Sequence, residues 1–153
     1  IYMKVVLQRV KYGKVTVDNK VISEIDEGIV LLWGIQKGDC LQDVDVLTHK
    51  IGNLRIFSDE FNKMNKSIQD INGEILLVSQ FTLLANTSKG NRPSFVEAES
   101  PETAIELLKY VFKKLSDYGI VKQGIFGEDM KVTIHNDGPV TIILESKKGK
   151  LKN

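Results

Sequence analysis

Cysteine is almost absent: Cys40 is the only one, so no intrachain disulfide can form, and a reducing, cytoplasmic setting is expected. Histidine is nearly as scarce. His49, His135 and Cys40 are scattered with no metal-ligand spacing among them, so no metal centre is expected. Neither a P-loop nor a dinucleotide fingerprint occurs, and Ser79 lacks the G-x-S-x-G surroundings of a nucleophile elbow. The expected chemistry is therefore free of cofactors. No apolar run approaches the roughly 20 residues of a membrane span, and no signal peptide is visible. Charge of one sign is also missing: 21 Lys and Arg against 20 Asp and Glu leave a net +1. A nucleic-acid partner would have to be met by a local patch, not by the field of the whole surface.

What is present fits one globular domain with a real core: 153 residues, 42% hydrophobic and 27% charged. Ile1 and Tyr2 precede Met3, the natural initiator, and read as a cloning remnant. Lys4 to Val10 and Lys14 to Val17 have strand composition, and Asp18-Asn19 turns the chain into a strand at Val21 to Ile25. Gly28 to Ile35 is continuously apolar, as in a strand buried on both faces. A first helix is expected from Asp39, capped by that residue with Gln42 completing a capping box. Leu41, Val44, Leu47, Ile51 and Leu54 form its apolar face. His49 reads as a surface residue of that helix.

Asn72-Gly73 leads into a strand from Glu74 to Phe81, and Ala85 to Phe95 reads as loop. Ser100-Pro101 opens a second helix with Ala104, Leu107, Leu108, Val111, Phe112 and Leu115 on one face, ended by Gly119. Strands are expected at Val121 to Ile125, Lys131 to Asn136 and Val140 to Glu145. This order, β-β-β-β-α-β-α-β-β-β, describes a single α+β domain with a mostly antiparallel sheet. The domain is placed at residues 3–146. The basic tail 147–153, with Lys147, Lys148, Lys150 and Lys152, reads as a solvated, disordered end.

Two polar stretches stand out. Ser79-Gln80-Phe81-Thr82-Leu83 follows an apolar strand and moves from core to rim. It reads either as a strand end that satisfies loop backbone, or as a set of hydroxyl, amide and main-chain donors for a carbonyl or phosphate oxygen. Asn136-Asp137-Gly138-Pro139-Val140-Thr141 interrupts a strand pair with a residue that cannot donate to a ladder. It reads as a plain turn between two antiparallel strands, or as a rigid functional element.

Together with Val5-Val6-Leu7-Gln8-Arg9-Val10, these two stretches resemble the signature segments of D-aminoacyl-tRNA deacylases, formerly called D-tyrosyl-tRNA deacylases. Asn53 to Phe57, Gly90 to Phe95 and Gly124 to Met130 also resemble family segments in the same order, so the likeness runs from Met3 to about Ser146. The resemblance implies a barrel-like, dimeric protein that hydrolyses the ester between a D-amino acid and the 3′ adenosine of tRNA. It implies two active sites at a homodimer interface, with aminoacyl-tRNA as partner and no membrane. It further implies that Gly138-Pro139, with a cis peptide bond, enters the partner's pocket and is held by Arg9. Ser79, Gln80, Phe81 and Thr82 would line the pocket near the ester, and Phe126, Met130 and Asn136 would contact substrate.

On this resemblance, chirality is sorted by steric exclusion: an L side chain meets the carbonyls of Gly138 and Pro139, and a D side chain points to solvent. Glycine, lacking a side chain, would escape exclusion, so glycyl-tRNA is an expected substrate. For the chemistry, Thr82 is one candidate nucleophile. The other scheme has the tRNA 2′-OH assist attack by water while main-chain donors near Phe81 and Thr82 hold the oxyanion. Two other classes stay open: a non-enzymatic nucleic-acid-binding module using the Lys-rich tail, and an editing domain acting on L-aminoacyl-tRNA.

Overall fold

The computed structural model describes residues 2–152. The first long strand, β1 (Met3–Val17), runs through both of the segments expected as separate strands. An Asp18-Asn19 turn, both residues with positive φ, returns the chain in β2 (Lys20–Ile25). β3 (Gly28–Gly34) pairs antiparallel with the first half of β1. Helix α1 (Leu41–Asn53) follows, then a small hairpin of β4 (Phe57–Ser58) and β5 (Met64–Lys66), unforeseen because its strands are too short to show periodicity. β6 (Glu74–Ser79) lies parallel to β3. After α2 (Pro101–Leu115), β7 (Ile120–Gln123) pairs parallel with β6. β8 (Lys131–Lys147) runs the length of β1, and β9 (Lys150–Leu151) closes a hairpin on its end. The main sheet has the order β7-β6-β3-β1-β8-β9, with β2 also on β1. It is a curled mixed sheet, a half-barrel with two helices on one face.

That shape follows from one extra residue. Val10 pairs with Asn136 and Tyr12 with His135, so Lys11 is inserted into β1 relative to β8. Such a bulge bends and twists a strand, and it reverses which residues face which side. Before it, Met3, Val5 and Leu7 pack under the helices with Leu31, Trp33, Ile75 and Leu77. After it, Val15 and Val17 join Val10, Val30, Leu76 and Val78 in a second core inside the curl. Each of these fully buried aliphatics contributes about 2 kcal/mol through removal from water. At the head of β3, a Cβ on Gly28 would collide with the Glu74 carbonyl oxygen, so only glycine lets β3 and β6 meet there.

The helices pack by the expected apolar stripes, with differences at their ends. Cys40, not Asp39, precedes the first turn of α1: its N–H donates to Asp43 Oδ2 at 3.1 Å. Asp39 is committed elsewhere, accepting the Gln36 N–H at 2.6 Å. Leu41, at the open start of the helix, is exposed. α2 stops at Leu115, and Ser116 to Gly119 form the turn that follows. Among the described residues, no helix is long and apolar enough to cross a membrane.

The lysine tail is not a loose end. Lys148 and Gly149 both take positive φ, and this turn seats Lys150 opposite Lys147. Gly149 N–H donates to Asp43 Oδ1 at 2.9 Å, beside the Ser146 hydroxyl at 2.7 Å on the same oxygen. Burial alone would raise the Asp43 carboxyl. The donors from Gly149, Ser146 and Cys40 outweigh burial and hold it below the usual carboxylate range. One carboxylate thus fastens the start of α1 to the chain's last hairpin.

Candidate active site

The answer to the Gly-Pro interruption lies in the β1–β8 register. Gln8 pairs with Thr141 and Val10 with Asn136, so Asp137 to Val140 stand against Arg9 alone. The segment leaves the ladder as an excursion, where a proline without an N–H costs no hydrogen bond. It is not a turn joining two antiparallel strands, because both flanking halves continue along the same β1. The Gly138-Pro139 bond is cis, and Gly138 has φ +131, a conformation that side chains on L-residues resist.

Several side chains hold this excursion. Arg9, with a side chain 11% exposed, donates from Nε to the Asp137 carbonyl at 3.0 Å and from Nη1 to the Ile56 carbonyl at 2.7 Å. Asp137 Oδ2 lies 3.5 Å from Arg9 Nε and 3.8 Å from Lys11 Nζ. Asn136 accepts the Val140 N–H at 2.9 Å and donates to Thr141 Oγ1 at 2.9 Å. Gln8 Nε2 also donates to that hydroxyl, at 3.2 Å. Every one of these contacts fixes main chain or the side chains that flank it, so the Gly138 and Pro139 carbonyls sit on a braced support.

The other polar stretch forms the rim of a cavity of about 480 Å³. β6 ends at Ser79, earlier than expected, and Phe81 to Leu84 wind into a 3-10 turn. The first N–H groups of a helical turn have no carbonyl within it to receive them, which leaves the Phe81 and Thr82 amides available. Ser79, Gln80 and Phe81 line the cavity with Phe126 and Met130. Phe81 is 57% exposed and meets Phe95 edge-on, ring centres 5.1 Å apart. A Cβ on Gly124 would lie 2.5 Å from Met130 Sδ, so that glycine makes room for the Met130 side chain.

Thr82 does not line the cavity. Its Oγ1 accepts a hydrogen bond from Gln80 Nε2, a contact that ties up oxygen density and offers no base. Arg9, Asn136, Gly138 and Pro139 do not line it either. The sequence-derived residues therefore fall into two clusters on one chain: the rim with Phe126 and Met130, and the braced excursion.

The cavity wall also contains residues that sequence reasoning passed over: Ala98, Glu99, Pro101, Gly127, Glu128 and Val132. Gly127 and Glu128 lie inside the Gly124 to Met130 segment; Glu99 and Pro101 carried no signal beyond helix initiation. Glu99 receives the Ser100 N–H at 2.9 Å. Nearby Asp39 is pushed up to about 7 by burial, against the lowering effect of the Gln36 N–H, with Asp43 and Glu99 adding to the rise. Among the described residues, no group of His, Cys, Asp or Glu is arranged to hold a metal ion.

The chain is similar to known proteins over nearly its full length. A D-aminoacyl-tRNA deacylase of Flavobacterium psychrophilum is 52% identical over 147 residues, covering 95% of this chain and 98% of that one. One from Fusobacterium nucleatum is 48% identical over 151 residues, 98% of this chain and all of its own length. The solved structure of a protein named "c-Myc DNA Unwinding Element Binding Protein" superposes with a TM-score of 0.89 at 44% identity, over 95% of this chain and 99% of that one. The profile described as D-Tyr-tRNA(Tyr) deacylase matches residues 6–145, and the chain belongs to that family.

Proposed function

We propose that this chain hydrolyses the ester linking a D-amino acid to the 3′ adenosine of tRNA, releasing free tRNA, and that it works in the cytoplasm as a homodimer. The observation that carries the proposal is the separation of a lined cavity from a braced Gly-Pro excursion on one subunit. Gly138 and Pro139 are not among the residues lining the cavity of their own chain, which supports a second copy supplying that part of the site.

The open sheet face supports that arrangement. Ile143 pairs with Val6, Val6 with Leu32, and Leu32 with Val78, giving an apolar stripe across the sheet that ends beside Ser79. Val78 is buried, Val6 and Leu32 are half-buried, and Ile143 is 60% exposed. The stripe lies on the face away from the helices and is continuous with the strand that carries the excursion. A second copy seated there buries the stripe and brings its own Gly138-Pro139 to the partner's rim.

In the resulting site, the terminal adenosine lies against Phe126 and Met130, and the ester carbonyl at the Phe81 amide on the cavity rim, with the Thr82 amide next along the turn. Water attacks the carbonyl carbon with the tRNA 2′-OH assisting. The amides stabilise the oxyanion, and its collapse expels the ribose 3′-oxygen, which takes up a proton. Thr82 is not the nucleophile in this scheme: its hydroxyl is bound by an amide donor and faces no base. An aminoacyl ester is already reactive, so positioning and oxyanion stabilisation suffice. The braced carbonyls of Gly138 and Pro139 exclude an L side chain; D-aminoacyl-tRNA and glycyl-tRNA enter. Release of D-tyrosine from D-tyrosyl-tRNA by the purified chain tests the proposal, and no release above the spontaneous rate would refute it.

A second reading, nucleic-acid binding without catalysis, draws on the DNA-binding name of the 44%-identical protein. The net charge of +1 works against it. Duplex DNA binding with steep salt dependence, in a protein without deacylase activity, would favour it.

A further inference from the structure

A second cavity, of about 350 Å³, adjoins the active-site cavity, sharing Ser79 and Phe126 with it, and is lined by Ile105, Leu108 and Lys109 of α2. Its walls are unusual for that surface. The buried face of α2 is Ala104, Leu107, Val111 and Leu115. Ile105 and Leu108, half-buried, extend the apolar stripe and line this cavity. Across from them, Ile125 and Phe126 remain 40% and 37% exposed. At the mouth stands Lys109, whose only ionic partner among the described residues is the surface carboxylate of Glu106 at 3.3 Å. Apolar walls, the Phe126 ring and an exposed lysine held only by a surface ion pair suit a nucleobase with its phosphate. Bases of single-stranded RNA bind by stacking on such surfaces, with cations tracking the backbone.

We infer that this cavity receives the penultimate nucleotide of the tRNA's single-stranded end, its base between Ile105, Leu108 and Ile125 and its phosphate at Lys109. The inference rests on the deacylase reading, which puts the terminal adenosine against Phe126, a residue shared with this adjoining cavity, so that the preceding nucleotide has the second cavity next to it. An amino-acid side chain is the competing occupant, and its position on the substrate separates the two.

The test compares two substrates that differ only in the remaining nucleotides: D-tyrosyl-tRNA and 3′-D-tyrosyl-adenosine. Each is assayed with the unaltered protein, with Lys109→Glu and with Ile105→Ala. For D-tyrosyl-tRNA, KM is expected to rise about tenfold in either variant, from loss of the phosphate contact or of apolar contact with the base. For 3′-D-tyrosyl-adenosine, KM is expected to shift less than about twofold by the same reasoning. The salt dependence of KM for the tRNA should also become shallower in Lys109→Glu. Equal shifts on both substrates, or no shift on either, would overturn the assignment while leaving the deacylase reading intact. Hydrolysis of neither substrate by the unaltered protein would overturn that reading, and the subsite with it.

Discussion

Arg9 Nε donates to the Asp137 carbonyl at 3.0 Å, where the β1–β8 ladder opens for the Gly-Pro excursion, while Nη1 reaches the Ile56 carbonyl at 2.7 Å. One largely buried guanidinium thus joins three places that are remote in sequence: β1, the segment after α1, and the Gly-Pro excursion. Replacing Arg9 with alanine should cost about 2 kcal/mol of stability, because charge-assisted bonds to two carbonyls are lost. A urea melt reads that cost. The more informative effect is on selectivity: with the excursion unbraced, L-tyrosyl-tRNA should be hydrolysed faster relative to D-tyrosyl-tRNA.

Gly138 leaves less latitude. A Cβ there would lie 2.8 Å from Val140 Cγ2 and 3.0 Å from Arg9 Nη2, on a residue with φ +131. Gly138→Ala should therefore shift the excursion and cut D-tyrosyl-tRNA hydrolysis by about 100-fold, as displacement of a positioning element does, with unchanged far-ultraviolet circular dichroism. If the excursion serves the partner's cavity, a mixture of Gly138→Ala and Phe81→Asp subunits should regain activity after subunit exchange, since one of the two sites in a mixed dimer is intact. A mixture as inactive as its parents would contradict service across the interface.

On the proposed scheme, which puts the oxyanion on main-chain amides and not on the hydroxyl, Thr82→Ala should retain activity within about tenfold of the parent. Single-turnover rates with D-tyrosyl-tRNA decide this. Complete loss with substrate binding intact would restore Thr82 as the nucleophile.

The acid stability of the fold is expected to follow Asp43. Its carboxyl sits below the ordinary range in the folded chain. Its contribution is therefore fully present above the unfolded carboxyl value of about 4 and is lost as pH falls through the lower folded value. Asp43→Asn must turn an amide donor towards one of the donors from Cys40, Ser146 or Gly149, at a cost of about 2 kcal/mol near neutrality. Below about pH 4 the gap between the two proteins should narrow. Asp39 acts in the opposite sense: raised to about 7, it holds a proton in the folded chain that the unfolded chain has released. Stability should decline as pH rises from about 4 to 7, and Asp39→Asn should flatten that slope. Urea midpoints across the range measure both effects.

These particulars also show where sequence is transparent and where it is not. The apolar stripes Val44, Leu47, Ile51 and Ala104, Leu107, Val111, Leu115 announced both helices, because burial imposes a helical period on residue type. The Lys11 bulge was invisible, since one added residue leaves strand composition unchanged while reversing every face beyond it. Gly138-Pro139 was conspicuous, yet its placement in an excursion depended on the pairing of Gln8 with Thr141 and of Val10 with Asn136, a relation between distant segments. The lysine tail looked free because its anchor, Asp43, lies on a helix more than a hundred positions away. Ser79 to Phe81, Phe126 and Met130 proved to share a cavity, while Thr82, drawn from the same motif, turned aside to Gln80.

The central claim is that the site excludes L side chains and does not select for any side chain at all. Its most direct measurement is the hydrolysis of D-tyrosyl-, glycyl- and L-tyrosyl-tRNA side by side, at equal concentration, by the unaltered protein. Steric exclusion by braced carbonyls should give D-tyrosyl-tRNA at least about a 100-fold advantage over the L form, with glycyl-tRNA hydrolysed well above its spontaneous rate. Comparable rates for the D and L forms, or rapid hydrolysis of the D form with glycyl-tRNA wholly inert, would contradict it.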